Sequence, residues 1–341
     1  MLQPNVSLKP YNTFHIEASA RFFRTIDSEQ GLVEFLMDNS HAMPPFIVLG
    51  GGSNILFTSD VDAVVLKNEI RGIELMEEDE ASVLIRVGGG EVWHELVMHC
   101  VEKGWGGIEN LALIPGSVGA APIQNIGAYG VELKEVFEKL EAIHLSTGGM
   151  RTFDARECAF GYRDSIFKRS AKGKYFISRV WLRLQKAPHK PNTSYAGLSQ
   201  ALEEHGVSQP SIRDIAEAVI AVRRSKLPDP AEIGNSGSFF KNPVITSSQF
   251  DQIKGHYPDI PHYPQADGSV KLPAAWLIDQ SGWKGFREGD YGVHDRQALV
   301  LVNHGNASGK EIYDLSERIL QDVENRFGIK LEREVNVISD F

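Results

Sequence analysis

A hydroxyl, an ammonium and an amide stand close together in Gly237-Ser238-Phe239-Phe240-Lys241-Asn242-Pro243. That mix suits proton movement and anion binding better than it suits a core. Gly237 lets the chain turn tightly and lets a ligand approach, and Pro243 removes an amide donor and ends any regular element. Ser238 is therefore expected at the edge of a cleft. Locally the same residues also read as a Gly/Ser turn that anchors Phe239 and Phe240 in a core.

Two glycine clusters could hold a phosphate or a large ligand. Gly50-Gly51-Gly52-Ser53-Asn54 follows an apolar strand and precedes Ile55-Leu56-Phe57, where exposed backbone amides could cradle a phosphate. Gly-x-Gly-x-x-Gly is absent and the following residues read as a strand, which disfavours a dinucleotide fold of the Rossmann type. Leu113 to Pro122 and Gln124 to Gly130 form a long stretch of small residues and amides almost free of charge. A planar or extended ligand could lie along it, or it could be a tightly packed Gly/Ala-rich turn. Two such loops together point to a nucleotide cofactor.

These groups need a scaffold, and the chain is long enough to supply one. Its 341 residues are 42% apolar and 23% charged, which suits two or three globular domains. A net charge of -10 argues against a nucleic-acid or acidic-membrane surface, so an anionic ligand needs a local cluster of Lys and Arg. The first residues lack a basic and an apolar region, and no apolar run approaches the length of a bilayer span, so a cytoplasmic protein is expected. Cys100 and Cys158 are far apart and lack zinc-site spacing, so both are expected to be reduced structural thiols. His94 and His99 are five apart, which puts them off a common helix face, and no metal is expected there.

Strands are expected at 46–49, 62–66, 83–87, 139–145 and 175–184, rich in β-branched and aromatic residues. A helix over 92–103 gathers Val92, Leu96, Val97, Cys100 and Val101 on one side and stops at Gly104. Ser211 with Asp214 caps a second helix that runs to Arg223 and Arg224, and Ser308 with Glu311 caps a third that ends at Gly328. Lys226-Leu227-Pro228-Asp229-Pro230 is a stiff break suited to a domain boundary.

Taken in order, the motifs resemble the UDP-N-acetylenolpyruvoylglucosamine reductases, flavoenzymes of bacterial peptidoglycan synthesis. The likeness rests on Asn12-Thr13-Phe14, Gly50 to Asn54, Ile114-Pro115-Gly116, Gly161-Tyr162-Arg163-Asp164-Ser165, Lys226-Leu227-Pro228-Asp229, Gly237 to Pro243 and Leu331-Glu332-Arg333-Glu334-Val335. It implies an α+β fold: an FAD-binding module of the vanillyl-alcohol-oxidase type in two subdomains, 1–70 and 71–224, then a substrate domain, 225–330, and a returning strand, 331–341. It also implies non-covalent FAD, NADPH as reductant, and a monomer in which both substrates use one cleft in turn.

The resemblance implies a cofactor set of Asn12, Thr13, Gly50, Gly51, Gly52, Ser53, Asn54, Ile114, Pro115, Gly116, Ser117, Gly119, Ala120, Gln124, Asn125, Gly127, Ala128, Tyr129 and Gly130. It implies three catalytic residues. Arg163 and Glu334 would stabilise the enolate-like charge that follows hydride delivery to an enol ether, and Ser238 would give the proton. Lys226, Lys271 and Lys284 would face the diphosphate and sugar, beside Tyr162, Asn242, Tyr263 and Gln297, and Tyr195 would sit in the lid-like tyrosine loop of one subtype.

Two departures stand out. Many relatives carry Arg where this chain has Asn336, which removes a cation from the face expected to carry Glu334. Gly51 stands where some carry glutamate, a change expected to be harmless at a site lined by backbone. A flavin oxidase of the same fold would need the glycine loops but not Ser238, Arg163 and Glu334. A non-catalytic nucleotide-sugar-binding protein would keep the lysines and tolerate loss of Ser238.

Overall fold

Val61–Asn68 is buried on both faces except at Asp62 and Lys67, the pattern of a strand with neighbours on either side. In the computed structural model, which describes residues 1–38 and 43–339, it pairs in parallel with Ser19–Ile26 and Phe46–Leu49. Gln3–Ser7 adds an antiparallel edge. Parallel neighbours need a crossover, and the helix Glu29–Asp38 lies between Ser19–Ile26 and Phe46–Leu49 in the chain. It packs Leu32, Phe35 and Leu36 with Val64 and Leu66.

Five antiparallel strands form the second sheet, in the order Met150–Asp154, Phe137–His144, Tyr175–Gln185, Ser82–Gly88, Ile73–Glu78. The expected strands at 83–87, 139–145 and 175–184 are its three inner members. The helices Trp93–Lys103 and Ile212–Lys226 lay Leu96, Val97, Ile215 and Val219 into one core with Val83, Ile85, Val180 and Leu182. Gly104 ends the first helix at φ +72°, a conformation glycine adopts without steric cost. Ser211 accepts from Asp214 N while the Asp214 carboxylate accepts from Ser211 N, so the expected capping box is present. That helix continues past Arg223 and Arg224 to Lys226.

A third sheet pairs Gly234–Ser238, Val300–Asn303, Tyr291–Val293 and Arg287–Glu288. The helix Gly309–Phe327, capped by Ser308 with Glu311 and ended by Gly328, buries Ile312, Leu315, Ile319 and Val323. A three-stranded ribbon of Val244–Ile245, Val270–Lys271 and Tyr263–Pro264 stands beside it. The chain then returns: Asn336–Ile338 pairs in parallel with Ile55–Phe57, directly after the first glycine cluster.

The three main sheets draw on residues 3–68, 73–185 and 234–303. The core does not follow that division, because one apolar cluster joins Phe14, Leu56 and Phe57 to Phe239, Phe240, Ile312 and Leu331. Residues of the first and third sheets thus share one core, most of the second sheet packs in another, and a third core sets Ile143, Leu145 and Phe176 against Val64 and Leu66. Residues 340 and 341 of the expected returning segment lie outside the described residues.

Candidate active site

The strand Phe46–Leu49 runs straight into a loop that has no room for side chains. A Cβ on Gly50 would lie 2.3 Å from Ser117 Oγ, one on Gly51 would lie 2.7 Å from Gly116 Cα, and one on Gly52 would lie 1.9 Å from the Tyr11 carbonyl oxygen. The two glycine clusters are therefore stacked on each other, and their absent side chains are what permits the contact.

These loops wall a cavity of about 570 Å³, within the range of cofactor sites. Gly50, Gly51, Gly52, Ser53 and Asn54 line it, with Ile114, Pro115, Gly116, Ser117, Gly119, Ala120, Gln124 and Gly127. Ser238, Arg163 and Glu334 line it too, so the structure brings the three expected catalytic residues to one space. Gln124 and Asn54 form a cross-brace: Asn54 Nδ2 donates to Gln124 Oε1 at 2.7 Å and to the Glu334 carbonyl at 3.3 Å.

The remaining residues of the expected cofactor set are not among those that line the cavity. Asn12 spends its side chain on its own loop, donating to Leu8 O and Ile16 O and accepting from Ile16 N. Thr13 stands behind the first glycine loop, where its N–H donates to Gly52 O and its carbonyl accepts from Asn235 N. Asn125 donates to Glu132 Oε2 and Gly161 O and accepts from Lys134 N, which ties the second loop to the Arg163 turn. Ala128 pairs with Val131 in a short ribbon, and the Gly130 carbonyl accepts from Asn192 Nδ2. Tyr129 meets Tyr195 edge-on at 5.1 Å. Asn110 Nδ2 donates to both Tyr129 O and Asn192 O, so this loop carries the Tyr195 segment.

Arg163 sits at φ +51°, a left-handed conformation unusual for a residue with a side chain. The tight turn from Gly161 to Asp164 holds it there through reciprocal backbone hydrogen bonds. Its Nη2 donates to Gly127 O at 2.5 Å, and its Nε lies 3.2 Å from Glu334 Oε1. Glu334 N donates to Phe239 O at 2.8 Å, so the returning chain places this carboxylate next to the Ser238 segment. Burial pushes the Glu334 carboxyl above its ordinary range, against the pull of Arg163, Lys168 and Lys241. Phe239 and Phe240 are 0% and 1% exposed and pack edge-on, so the core-anchor reading holds for them while Ser238 lines the cavity.

The expected substrate residues lie outside the cavity lining, and most of them cluster. Lys271 Nζ stands 4.4 Å above the Tyr162 ring, and Tyr263 pairs with Lys271 across two strands. A Cβ on Gly197 would lie 3.1 Å from Tyr195 Cε1 and 3.8 Å from Lys226 Nζ, which brings the ring and the ammonium close to one point beside this glycine. Tyr195 and Tyr263 are close enough to interact electrostatically. Asn242 Oδ1 accepts from Ala274 N and starts the helix Ala274–Gln280, which leaves its amide group to face Tyr162. Lys284 is paired with Asp279 at 3.2 Å, and Gln297 closes a turn by accepting from Leu299 N and Val300 N. His94 accepts from Leu113 N, and no group of three or more His, Cys, Asp or Glu that could hold a metal occurs among the described residues.

Sequence reasoning did not single out Arg223 or Ser236, both of which line the cavity. Arg223 reads as a basic helix terminus, yet its half-buried side chain donates to Leu113 O and meets the Tyr129 hydroxyl. Ser236 carries no signal beyond its nearness to Ser238. Its hydroxyl and that of Ser117 are buried without a partner.

The chain matches two family models. The FAD binding domain covers residues 20–154, and the UDP-N-acetylenolpyruvoylglucosamine reductase C-terminal domain covers 229–338. It is 48% identical to the UDP-N-acetylenolpyruvoylglucosamine reductase of Flavobacterium johnsoniae over 99% of both chains. The protein of that name from Amoebophilus asiaticus is 50% identical, again over 99% of both. Among solved structures, the UDP-N-acetylenolpyruvylglucosamine reductase of Thermus caldophilus shares the fold with a TM-score of 0.69 at 24% identity, over 99% of this chain and 100% of that one. p-Cresol methylhydroxylase shares it more distantly, with a TM-score of 0.51 at 11% identity over 96% and 85%. The residues present fit FAD: a cavity walled by backbone at stacked glycine loops, a half-buried arginine, and two orphaned serine hydroxyls.

Proposed function

The chain belongs to the UDP-N-acetylenolpyruvoylglucosamine reductase family of FAD-dependent oxidoreductases, and from that premise we propose that it uses NADPH to reduce the enolpyruvyl ether of UDP-N-acetylglucosamine to UDP-N-acetylmuramate. The observation that carries this reading is the Arg163 and Glu334 pair, 3.2 Å apart in the cavity that Ser238 also lines. In this reading the reaction serves peptidoglycan precursor synthesis in the cytoplasm, the protein acts as a monomer, and NADPH and the sugar nucleotide occupy the cleft in turn.

The loops Gly50 to Asn54 and Ile114 to Ala120 would hold the cofactor. FAD held there and reduced by NADPH would supply the hydride chemistry, from flavin N5 to the terminal carbon of the enol ether. The neighbouring carbon, which bears the carboxylate, then takes on enolate charge. Arg163 meets that charge with a planar guanidinium already oriented by Gly127 O and Glu334. Glu334, whose burial favours the protonated form, gives the enolate oxygen a second hydrogen bond.

Ser238 delivers the proton to the carboxylate-bearing carbon. A serine hydroxyl releases a proton only to a strongly basic partner, which the enolate carbon is, and a proton relay then restores the hydroxyl. Outside the cavity, Tyr162, Asn242, Tyr263, Lys226 and Lys271 bind diphosphate and sugar, with Lys284 and Gln297 at the periphery. Tyr195, half exposed on a loop held by Asn110 and Asn192, closes over them and excludes water. A steady-state assay tests the proposal: oxidation of NADPH should depend on added UDP-N-acetylenolpyruvoylglucosamine. Oxidation that depends on oxygen instead would identify a flavin oxidase.

A further inference from the structure

Three consecutive residues of the returning chain each pair with a side chain from a different part of the fold. Glu332 pairs with Lys241 at 3.0 Å, Arg333 with Glu317 at 2.7 Å, and Glu334 with Arg163 at 3.2 Å. The first pair is mostly exposed on the Glu332 side and adds little. The Arg333 contact is different in kind. Its side chain is 19% exposed, and the helix Gly309–Phe327 offers it a three-part receptor.

Tyr313, Ser316 and Glu317 lie three and four residues apart, so they share one helix face. The Arg333 guanidinium stands 4.5 Å over the Tyr313 ring, its Nε donates to Ser316 Oγ at 2.8 Å, and its buried Nη2 lies 2.7 Å from Glu317 Oε1 without hydrogen-bond geometry. Ser316 is fully buried and also donates to Tyr313 O, so the receptor is itself rigid. On the other side, Arg333 forms a backbone bridge with Phe240, and the backbone N–H groups of Lys241 and Glu334 donate to Glu332 O and Phe239 O. The segment from Glu332 to Glu334 is thereby clamped between the helix and the Ser238 segment.

We propose that Arg333 is a positioning residue for the reaction: by docking in the Tyr313, Ser316 and Glu317 receptor it sets the depth and direction at which Glu334 meets Arg163. Arg333 does not line the cavity and touches no reacting atom. The inference rests on the role proposed above for Glu334. A displacement of about 1 Å at a catalytic group can cost about 100-fold in rate, and that is the scale a loosened clamp would produce.

The test compares Arg333→Met, Arg333→Lys and Glu317→Gln in the FAD-loaded enzyme, with and without Glu334→Gln. Arg333→Met should lower kcat by about 10- to 100-fold, leave KM for the sugar nucleotide within about twofold, and leave reduction of the flavin by NADPH unchanged. Arg333→Lys, which can still reach Glu317, should restore most of the loss, and Glu317→Gln should give a smaller loss of the same kind. In the Glu334→Gln background, Arg333→Met should cost less than about twofold, since the group it positions is already gone. A full additional loss in that background, or unchanged kcat for Arg333→Met, would overturn the inference alone. Unchanged turnover in Glu334→Gln by itself would overturn the role of Glu334 and this inference with it.

Discussion

Arg163 Nε lies 3.2 Å from Glu334 Oε1, although one residue belongs to the tight turn from Gly161 to Asp164 and the other to the returning C-terminal segment. The pair closes the ring of the fold at the cavity. Its two members arrive there by different means, Arg163 by a strained left-handed turn and Glu334 by backbone pairing with Phe239.

Ser238→Ala should leave flavin reduction by NADPH intact while it slows reduction of the enolpyruvyl substrate by about two to four orders of magnitude, the usual worth of a positioned proton donor. Stopped-flow measurement of the two half-reactions checks this. Equal rates in variant and parent would remove Ser238 from the proton path.

Glu334→Gln should be more stable than the parent at neutral pH. Burial, the largest influence on this carboxyl, raises its folded pKa above the ordinary 4.5. A raised carboxyl contributes stability that is fully present below the unfolded value and lost as pH rises through the folded one. Glutamine cannot ionise and keeps that contribution. Thermal melts from pH 4 to 8 should therefore show a Tm advantage for the variant that disappears toward acid; an advantage independent of pH would contradict the assignment.

Asn336→Arg should leave FAD affinity unchanged and move the alkaline limb of kcat to lower pH. Asn336 and Glu334 both line the cavity, and a guanidinium there would favour the ionised carboxylate. The Asn336 side chain now donates only to Asn54 O, where its backbone N–H also points, so the loop keeps one of the two bonds. A pH profile identical to the parent's would make the position a bystander.

Gly51→Ala should weaken FAD binding by about tenfold or more, because the new Cβ would meet Gly116 Cα at 2.7 Å and force the stacked loops apart, at a strain of about 1–3 kcal/mol. Fluorescence titration of the apoprotein with FAD measures it. An unchanged dissociation constant would mean that the loops separate without cost.

Much of this architecture could be read from local signals. The capping pairs Ser211 with Asp214 and Ser308 with Glu311, and the stops at Gly104 and Gly328, are short-range chemistry, and the structure shows each of them. The inner strands were legible because each carries fully buried apolar residues, such as Ile85, Leu140 and Val180. Ile73–Glu78 was not, since it is an edge strand in which Leu75, Met76 and four of the other residues leave no buried face. Nor was Glu29–Asp38, whose buried stripe is only Leu32, Phe35 and Leu36.

The site was legible as motifs and not as geometry. Asn12 and Asn125 look like ligand amides, yet Asn12 serves backbone groups of its own loop and Asn125 bonds Glu132, Lys134 and Gly161, a choice that depends on tertiary placement. Arg223 looked like a helix terminus, because its partners Leu113 and Tyr129 come from another loop. The parallel pairing of Asn336–Ile338 with Ile55–Phe57 joins the two ends of the chain, and no local pattern could announce it.

The most direct test of the central claim is anaerobic spectroscopy of the FAD-loaded protein: bleach the flavin with NADPH, then add UDP-N-acetylenolpyruvoylglucosamine. The oxidised flavin spectrum should return rapidly without oxygen as UDP-N-acetylmuramate forms. A flavin that stays bleached until air is admitted would contradict the proposed reaction and the roles of Ser238, Arg163 and Glu334 with it.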